Sequence, residues 1–295
     1  MRSDLMKSPR HGEDITNHEY HHGEEWGPLI SSTRFKAMYE SPAAFRWPLP
    51  FTESAATDLG TAAHSAILDP DKIDDLVVLP DIPFRSTADK DLWRLWLSDF
   101  GADHDAIKNL KVKDDFIGLA RNTASVAGKS VVSKDQLQSI QAMSISVLES
   151  SDACDALADG LCEMSFRSGS FKARPDCISG ALLSDLKTTA KFDRFNWQAY
   201  DLKYPSSLAW YERVLRECHV SIGAWAWIVV ESNPYRLAAD GIARHRVKVV
   251  VASEELRMES REALEDALTT YQSCVVSDEW PSAVIAIEEL QSRGY

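Results

Sequence analysis

The stretch from residue 172 to residue 189, KARPDCISGALLSDLKTT, constrains this chain more than any other. Two β-prone runs, 172–179 and 181–188, meet at Gly180, a pattern that predicts a tight pair of strands. Side chains alternate along a strand, so Asp185 and Lys187 share one side of theirs. With Asp176, two carboxylates and an ammonium are then gathered at the strand ends. Hard oxygen donors of this kind suit Mg²⁺ or Mn²⁺, which take few protein carboxylates and keep several waters. The spacing therefore predicts a divalent-metal site of one or two ions, with Lys187 holding or polarising an attacking water. The same residues also fit an edge hairpin with surface charges. Pro175 suits an edge or a bulge, and bulges accompany active sites as well.

The rest of the chain has enough apolar residues to bury such a site. Of its 295 residues, 44% are hydrophobic and 26% charged, as expected for a water-soluble chain with a substantial core. The longest apolar run, 222–230, falls well short of the ~20 residues that a membrane helix needs. No apolar run follows the few basic residues at the start, so neither a signal peptide nor a membrane span is expected, and the expected compartment is the cytoplasm. Five cysteines form no CxxC pair and are odd in number, which favours reduced thiols over a disulfide framework. A net charge of −13 argues against an extended nucleic-acid-binding surface. It does not exclude an enclosed channel, because acidic metal ligands add to the total.

Residues 1–25 are polar and hold four of the eight histidines, and are expected to be a solvated tail, with order starting at Trp26 and one domain spanning 26–295. Ser31, Ser32 and Thr33 offer N-cap oxygens ahead of FKAMYE, and Ser41-Pro42 opens a second turn. A loop with Trp47, Pro48, Pro50 and Phe51 leads to a small-residue helix over 58–68. On it, Gly60, Ala63 and Ile67 form a close-packing face. His64 lies beside that face, as a satisfied boundary residue or, if Asp176 and Asp185 lie opposite, as a metal ligand. A strand and loop follow over 69–83, then a helix over 87–98 and a more polar region to 127. Ser133 and Gln136 form a capping box for a long helix. Residues 161–167 alternate as a half-buried strand, on which Glu163 is either a surface residue or a further carboxylate for the metal.

Beyond Thr189, an aromatic loop with Phe192, Phe195 and Trp197 precedes a helix to about 217. Pro205 sits in its first turn and Tyr204 just outside it. The most apolar strand, 222–231, is expected to lie centrally in the sheet. A valine-rich strand over 243–251 and a long helix from Ser253 follow. A short strand or tail after Trp280-Pro281 ends the chain.

Taken in order, ISSTRFKAMYESPAAF, DLGTAAHSAILDP, the strand with Glu163, KARPDCIS, LLSDLKTT, YPSSLAWY, AWAWIVVESNPYRLA and EWP resemble the phage-type exonucleases of the PD-(D/E)xK superfamily. The likeness is to the RecE (exonuclease VIII) group and, more distantly, to lambda exonuclease, and it spans residues 30 to 281. A lone PD…DxK is a weak signal, and the surrounding motifs make it more specific. The resemblance implies an α/β (α+β) fold with a restriction-endonuclease-like core, a central mixed β-sheet flanked by helices. It implies that Asp176, Asp185, Glu163, His64 and the Leu186 carbonyl surround Mg²⁺ or Mn²⁺, with Lys187 activating water. The implied reaction is metal-dependent hydrolysis of one strand of linear duplex DNA, 5′ to 3′, leaving 3′ single strands for an annealing protein of the RecT or beta type. It further implies a homo-oligomeric ring, trimer or tetramer. Substrate contacts are expected from Arg174, Tyr204, Ser207 and Tyr211. The sequence departs from the family at one point, since relatives carry glutamine where Ser207 stands between Tyr204 and Tyr211. A RecB-like nuclease, an endonuclease, or a weakened DNA-end-binding protein on the same fold are the competing readings. An iron–sulfur version is disfavoured by the scattered cysteines.

Overall fold

A computed structural model describes residues 12–49 and 55–282, with side chains in the second segment from residue 59 onward. Part of the loop through Pro50 and Phe51, residues 1–11 and the tail beyond 282 lie outside the described residues.

Structure starts before Trp26. Helix α1 (Asn17–His22) is capped by Thr16, whose hydroxyl accepts from Glu19 N–H, and it buries Tyr20. Ahead of it, Glu13 and Ser165 exchange backbone hydrogen bonds. The expected solvated tail is thus corrected from residue 12 onward: the segment is held down by polar contacts with distant residues, which composition does not reveal.

Helix α2 (Ser32–Phe35) and α3 (Pro42–Arg46) are capped by Ser31 and Ser41, with Pro42 in the first turn of α3. Helix α4 (Ala55–Leu68) leads through a 3₁₀ turn to β1 (Leu76–Val78). Helices α5 (Thr87–Asp99), α6 (His104–Lys108) and α7 (Lys113–Val126) follow, then β2 (Ser130–Val132), which pairs parallel with β1. This excursion has its own core, in which Trp93, Leu97, Ile107 and Phe116 are buried. Helix α8 (Lys134–Leu148) begins with the expected Ser133–Gln136 capping box, and α9 (Ser151–Leu157) follows it.

The remaining elements are β3 (Leu161–Cys162), β4 (Phe166–Ser168), β5 (Phe171–Ala173), β6 (Cys177–Ser179), β7 (Leu182–Thr189), α10 (Phe195–Asp201) and α11 (Tyr204–Glu217). After them come β8 (Ala224–Glu231), β9 (Arg236–Leu237), β10 (Ala243–Arg244), β11 (Val247–Val251) and α12 (Glu254–Ser277). The main sheet runs β11-β8-β7-β6-β3, with β7 and β8 parallel and the other neighbours antiparallel. It is a central mixed sheet flanked by helices, as expected. On one face, Leu183, Trp225, Trp227 and Val229 pack under α11 and α12. On the other, Leu186, Ile228 and Val230 pack under α4, α8 and α9. The alternation along β7 and β8 fixes which side each residue faces, since a one-residue slip would exchange the faces. Each large side chain so buried contributes about 1.5–3 kcal/mol.

Three expected strands are divided. Residues 172–179 form β5, paired with β4, and β6, paired with β7, with Arg174-Pro175-Asp176 between them. Residues 161–167 break at Glu163, whose φ of +55° turns the chain out of the strand. Residues 243–251 divide into β10 and β11. Tyr204 is the first residue of α11 rather than outside it, because Lys203 takes the left-handed conformation (φ +53°) that admits the helix there.

Candidate metal centre

The site grows out of the place where β6 stops. Strand β6 begins at Cys177, opposite Ser184 on β7, so residues further along β7 lack that neighbour. The Leu186 N–H is met instead by Asp176 Oδ2, at 2.6 Å. A carboxylate thus replaces a strand carbonyl, which answers the rule that a buried N–H must find an acceptor. Pro175 fits this break because the chain leaves the ladder there.

Three elements converge on Asp176. Helix α4 brings His64, whose Nδ1 lies 3.4 Å from Asp176 Oδ2. The turn after β3 brings Glu163, whose N–H donates to the Asp176 carbonyl at 3.1 Å. Ligand atoms of His64, Glu163 and Asp176 all lie within 4.8 Å of one another, so the three could hold a metal ion. Asp185 stands outside this group of three and is engaged by Lys187, with Nζ 2.6 Å from Oδ2. Lys187 also donates to the Leu186 carbonyl at 3.1 Å. Beyond this ion pair, the buried Asp185 Oδ2 accepts no directional hydrogen bond. An anionic oxygen in that condition, beside two further carboxylates and an imidazole, is a donor set that fits a divalent cation. Oxygens favour Mg²⁺ and Mn²⁺, and the imidazole adds preference for the later metals.

The electrostatics describe a site short of positive charge. Burial raises the Asp176 carboxyl well above the usual carboxylate range, and the neighbouring Asp185 and Glu163 raise it further against the pull of Lys187. Glu163 is raised too, by burial above all. Burial and the Lys187 ammonium push His64 down to about 4, leaving its imidazole neutral and its lone pair available. For Lys187, burial opposes the charge, but Asp185 and Asp176 outweigh it and raise its pKa.

The expected substrate contacts divide. Tyr204 places its ring 5.1 Å from Lys187 Nζ. Tyr211 accepts a hydrogen bond from Ser32 at 3.4 Å, and burial, then the Asp185 and Asp176 charges, keep it from ionising. Ser207 is buried in α11. Arg174 is taken up by the N-terminal segment: it donates to Ser165 Oγ and the Ile15 and Thr16 carbonyls, and its guanidinium lies 4.3 Å from the Tyr20 ring centre.

Sequence reasoning missed two lysines. Lys36, far upstream, is depressed to about 8 by burial, with Lys187 and Lys203 adding repulsion against the pull of Asp185. It therefore belongs to the rim of the site, where it donates to the Leu202 carbonyl. Lys172 is buried and donates to the Tyr20 and Trp26 carbonyls. No local signal marks either residue, although a charged residue at an inward position of a strand is a hint for Lys172. A cavity of about 500 Å³ elsewhere, between β9, β10 and β11, is lined by Arg236, Arg244, Arg246 and Lys248 but by none of the metal-centre residues. Its Arg244 and Arg246 are already paired with Glu149, Asp240, Glu231 and Asp193.

No family model matches this chain, and no curated protein matches it either. Among solved structures, the chain is similar to a candidate exonuclease from Eubacterium rectale, at 9% identity and a TM-score of 0.55, with 96% of this chain and 97% of that one covered. A phage-related exonuclease from Haemophilus somnus 129PT aligns at 13% identity and a TM-score of 0.32, over 74% of this chain and 95% of that one. The first of these comparisons shows that this chain shares its overall fold with the Eubacterium rectale protein.

Proposed function

We propose that the protein is a metal-dependent nuclease that hydrolyses one strand of linear duplex DNA from its end. The observation that carries this reading is the convergence of His64, Glu163 and Asp176 beside the Asp185–Lys187 pair. The order of the surrounding motifs supports it, as does the fold shared with a candidate exonuclease.

His64, Glu163, Asp176, Asp185 and the Leu186 carbonyl would hold Mg²⁺ or Mn²⁺. When bound, such an ion stabilises negative charge on phosphate oxygens and lowers the pKa of water. The chain's own part is to supply charge and position. Lys187, kept protonated by Asp185 and Asp176, is a fixed cation for a phosphate oxygen or an oriented water. Lys187 would leave Asp185 where a cation took up that carboxylate, and its ammonium would then be available to the substrate. Lys36 adds a second cation at the rim, and His64 a neutral donor within the centre.

Polarity of 5′ to 3′, a product with 3′ single strands, a ring of three or four copies, an annealing partner of the RecT or beta type and a cytoplasmic location are further parts of the proposal. They are supported by the resemblance in sequence. No helix among the described residues is long and apolar enough to cross a membrane. A second reading, a DNA-end-binding protein with weak catalysis, draws on Ser207, which is short and buried where relatives carry glutamine.

The deciding experiment uses linear duplex DNA labelled at the 5′ or 3′ end, incubated with Mg²⁺, Mn²⁺ or EDTA, beside closed circles. Metal-dependent loss of 5′ label with circles untouched is expected. Retention of duplex ends without digestion in either metal would favour the second reading, and cleavage of circles would favour an endonuclease.

A further inference from the structure

Strands β3 and β6 carry two cysteines directly opposite one another, Cys162 and Cys177. The Glu163 N–H donates to the Asp176 carbonyl, which makes 163 and 176 a hydrogen-bonded pair. Hydrogen-bonded and non-hydrogen-bonded pairs alternate along an antiparallel ladder, so Cys162 and Cys177 form a non-hydrogen-bonded pair. In such pairs the Cα atoms stand about 4.5 Å apart and side chains approach most closely. That separation lies within the range a disulfide spans, about 4.4–6.8 Å. Both side chains face the core under α4, α8 and α9. Cys177 Sγ lies over Gly160, where a Cβ would collide with it, so that sulfur is directed across at the segment leading into β3. In the structure all five cysteines are free thiols.

We propose that Cys162 and Cys177 are a modification site, a dithiol that closes to a cross-strand disulfide and staples β3 to β6. The inference does not rest on the nuclease reading. Strand β3 has two residues and forms the edge of the sheet, so it has one strand neighbour to hold it. The staple would secure the residue that follows it, Glu163, against the residue that precedes Cys177, Asp176.

Access assigns the order of events. Cys162 is half-buried and reaches solvent, whereas Cys177 is fully buried. With hydrogen peroxide as oxidant, the Cys162 thiolate attacks one oxygen and the O–O bond breaks. A sulfenic acid forms, and the first water leaves. Cys177 sulfur then displaces the hydroxyl from that sulfenic sulfur, the S–S bond forms, and the second water leaves. The two thiol protons end in the two waters, and two electrons pass from sulfur to peroxide.

The test exposes the full-length protein to limited peroxide, followed by alkylation and non-reducing peptide mapping. A single intrachain link between the Cys162 and Cys177 peptides is expected, reversed by dithiothreitol. A rise in Tm of roughly 5 °C should accompany it, as closing a short loop constrains the unfolded chain. Cys162→Ser should remove both effects while leaving a buried thiol in place, and it serves where Cys177→Ser fails to fold. Full alkylation of both thiols after peroxide, a link to another cysteine, onward oxidation of Cys162 with Cys177 untouched, or a linked protein without the Tm rise would each overturn the proposal.

Discussion

Lys187 Nζ stands 2.6 Å from Asp185 Oδ2 and 3.1 Å from the Leu186 carbonyl oxygen, so one ammonium engages the oxygens of two consecutive residues. Both oxygens are candidate metal ligands, and the lysine acts as their counter-charge when no cation is bound. Residues two apart on β7 face the same way, which places the ammonium beside the carboxylate.

Removing either member should therefore affect stability and chemistry differently. Lys187→Met leaves the Asp185 carboxylate, 4% exposed, without its partner, and should cost about 3 kcal/mol in urea unfolding. Adding Asp185→Asn should recover part of that loss. Each single variant should lower DNA cleavage by about two orders of magnitude or more while the far-ultraviolet dichroism of the fold persists. Strictly additive stabilities would show that the pair is not coupled, and a folded, fully active Asp185→Ala or Lys187→Ala would remove the nuclease assignment.

Divalent-cation binding should weaken as pH falls. Asp176 and Glu163 have raised pKa values, so each holds its proton to higher pH than an ordinary carboxyl and must release it to the cation. For the metal-free protein the sign is set by the same shift: a raised carboxyl contributes stability below its unfolded pKa and loses it as pH rises through the folded value. Mn²⁺ should accordingly raise Tm more at about pH 8 than at about pH 5.5. An equal increment at both would contradict raised carboxyls at the binding site.

His64 should stay neutral through the physiological range. Its pKa of about 4 means that folding disfavours the charged imidazole, so its contribution holds above the ordinary value and is lost as pH falls towards 4. Proton-detected imidazole spectra should show no His64 titration between about pH 5.5 and 8. His64→Ala should weaken Mn²⁺ binding about tenfold or more. A midpoint near the ordinary histidine value would show that burial does not govern this residue.

Lys172 should hold the N-terminal segment in place. Its ammonium donates to the Tyr20 and Trp26 carbonyls and lies 4.3 Å from the Tyr20 ring centre. Lys172→Met should take from the Tyr20 carbonyl its ammonium donor and leave the Trp26 carbonyl with the Leu29 N–H alone, at a cost of about 1–3 kcal/mol. Limited proteolysis within residues 12–25 should quicken correspondingly. Unchanged protection there would assign the anchoring to Arg174 and its contacts with Ile15 and Thr16 instead.

The strand pair around Gly180, the capped helices at Ser31, Ser41, Ser133 and Ser253, and the continuous apolar run of β8 were legible because they depend on neighbours in sequence. The divisions at Glu163 and at Arg174-Pro175-Asp176 were less so. A propensity rule reads an alternating run as one strand, whereas the real chain leaves the ladder where a side chain must replace it. Lys36 and the anchoring of the segment around Tyr20 were invisible because their partners lie more than a hundred residues away.

The sequence by itself determined which groups are available: acidic residues and a lysine at strand spacing, a histidine on a small-residue helix, and a mixed helix-and-strand pattern to carry them. The tertiary structure decided which of them meet. It joined His64, Glu163 and Asp176 into one group, gave Asp185 to Lys187, and turned Arg174 towards the N-terminal segment. The physical reason is that periodicity fixes the face on which a side chain lies, while only the packing of β3, β6, β7 and α4 fixes which faces are brought within a few ångströms of each other.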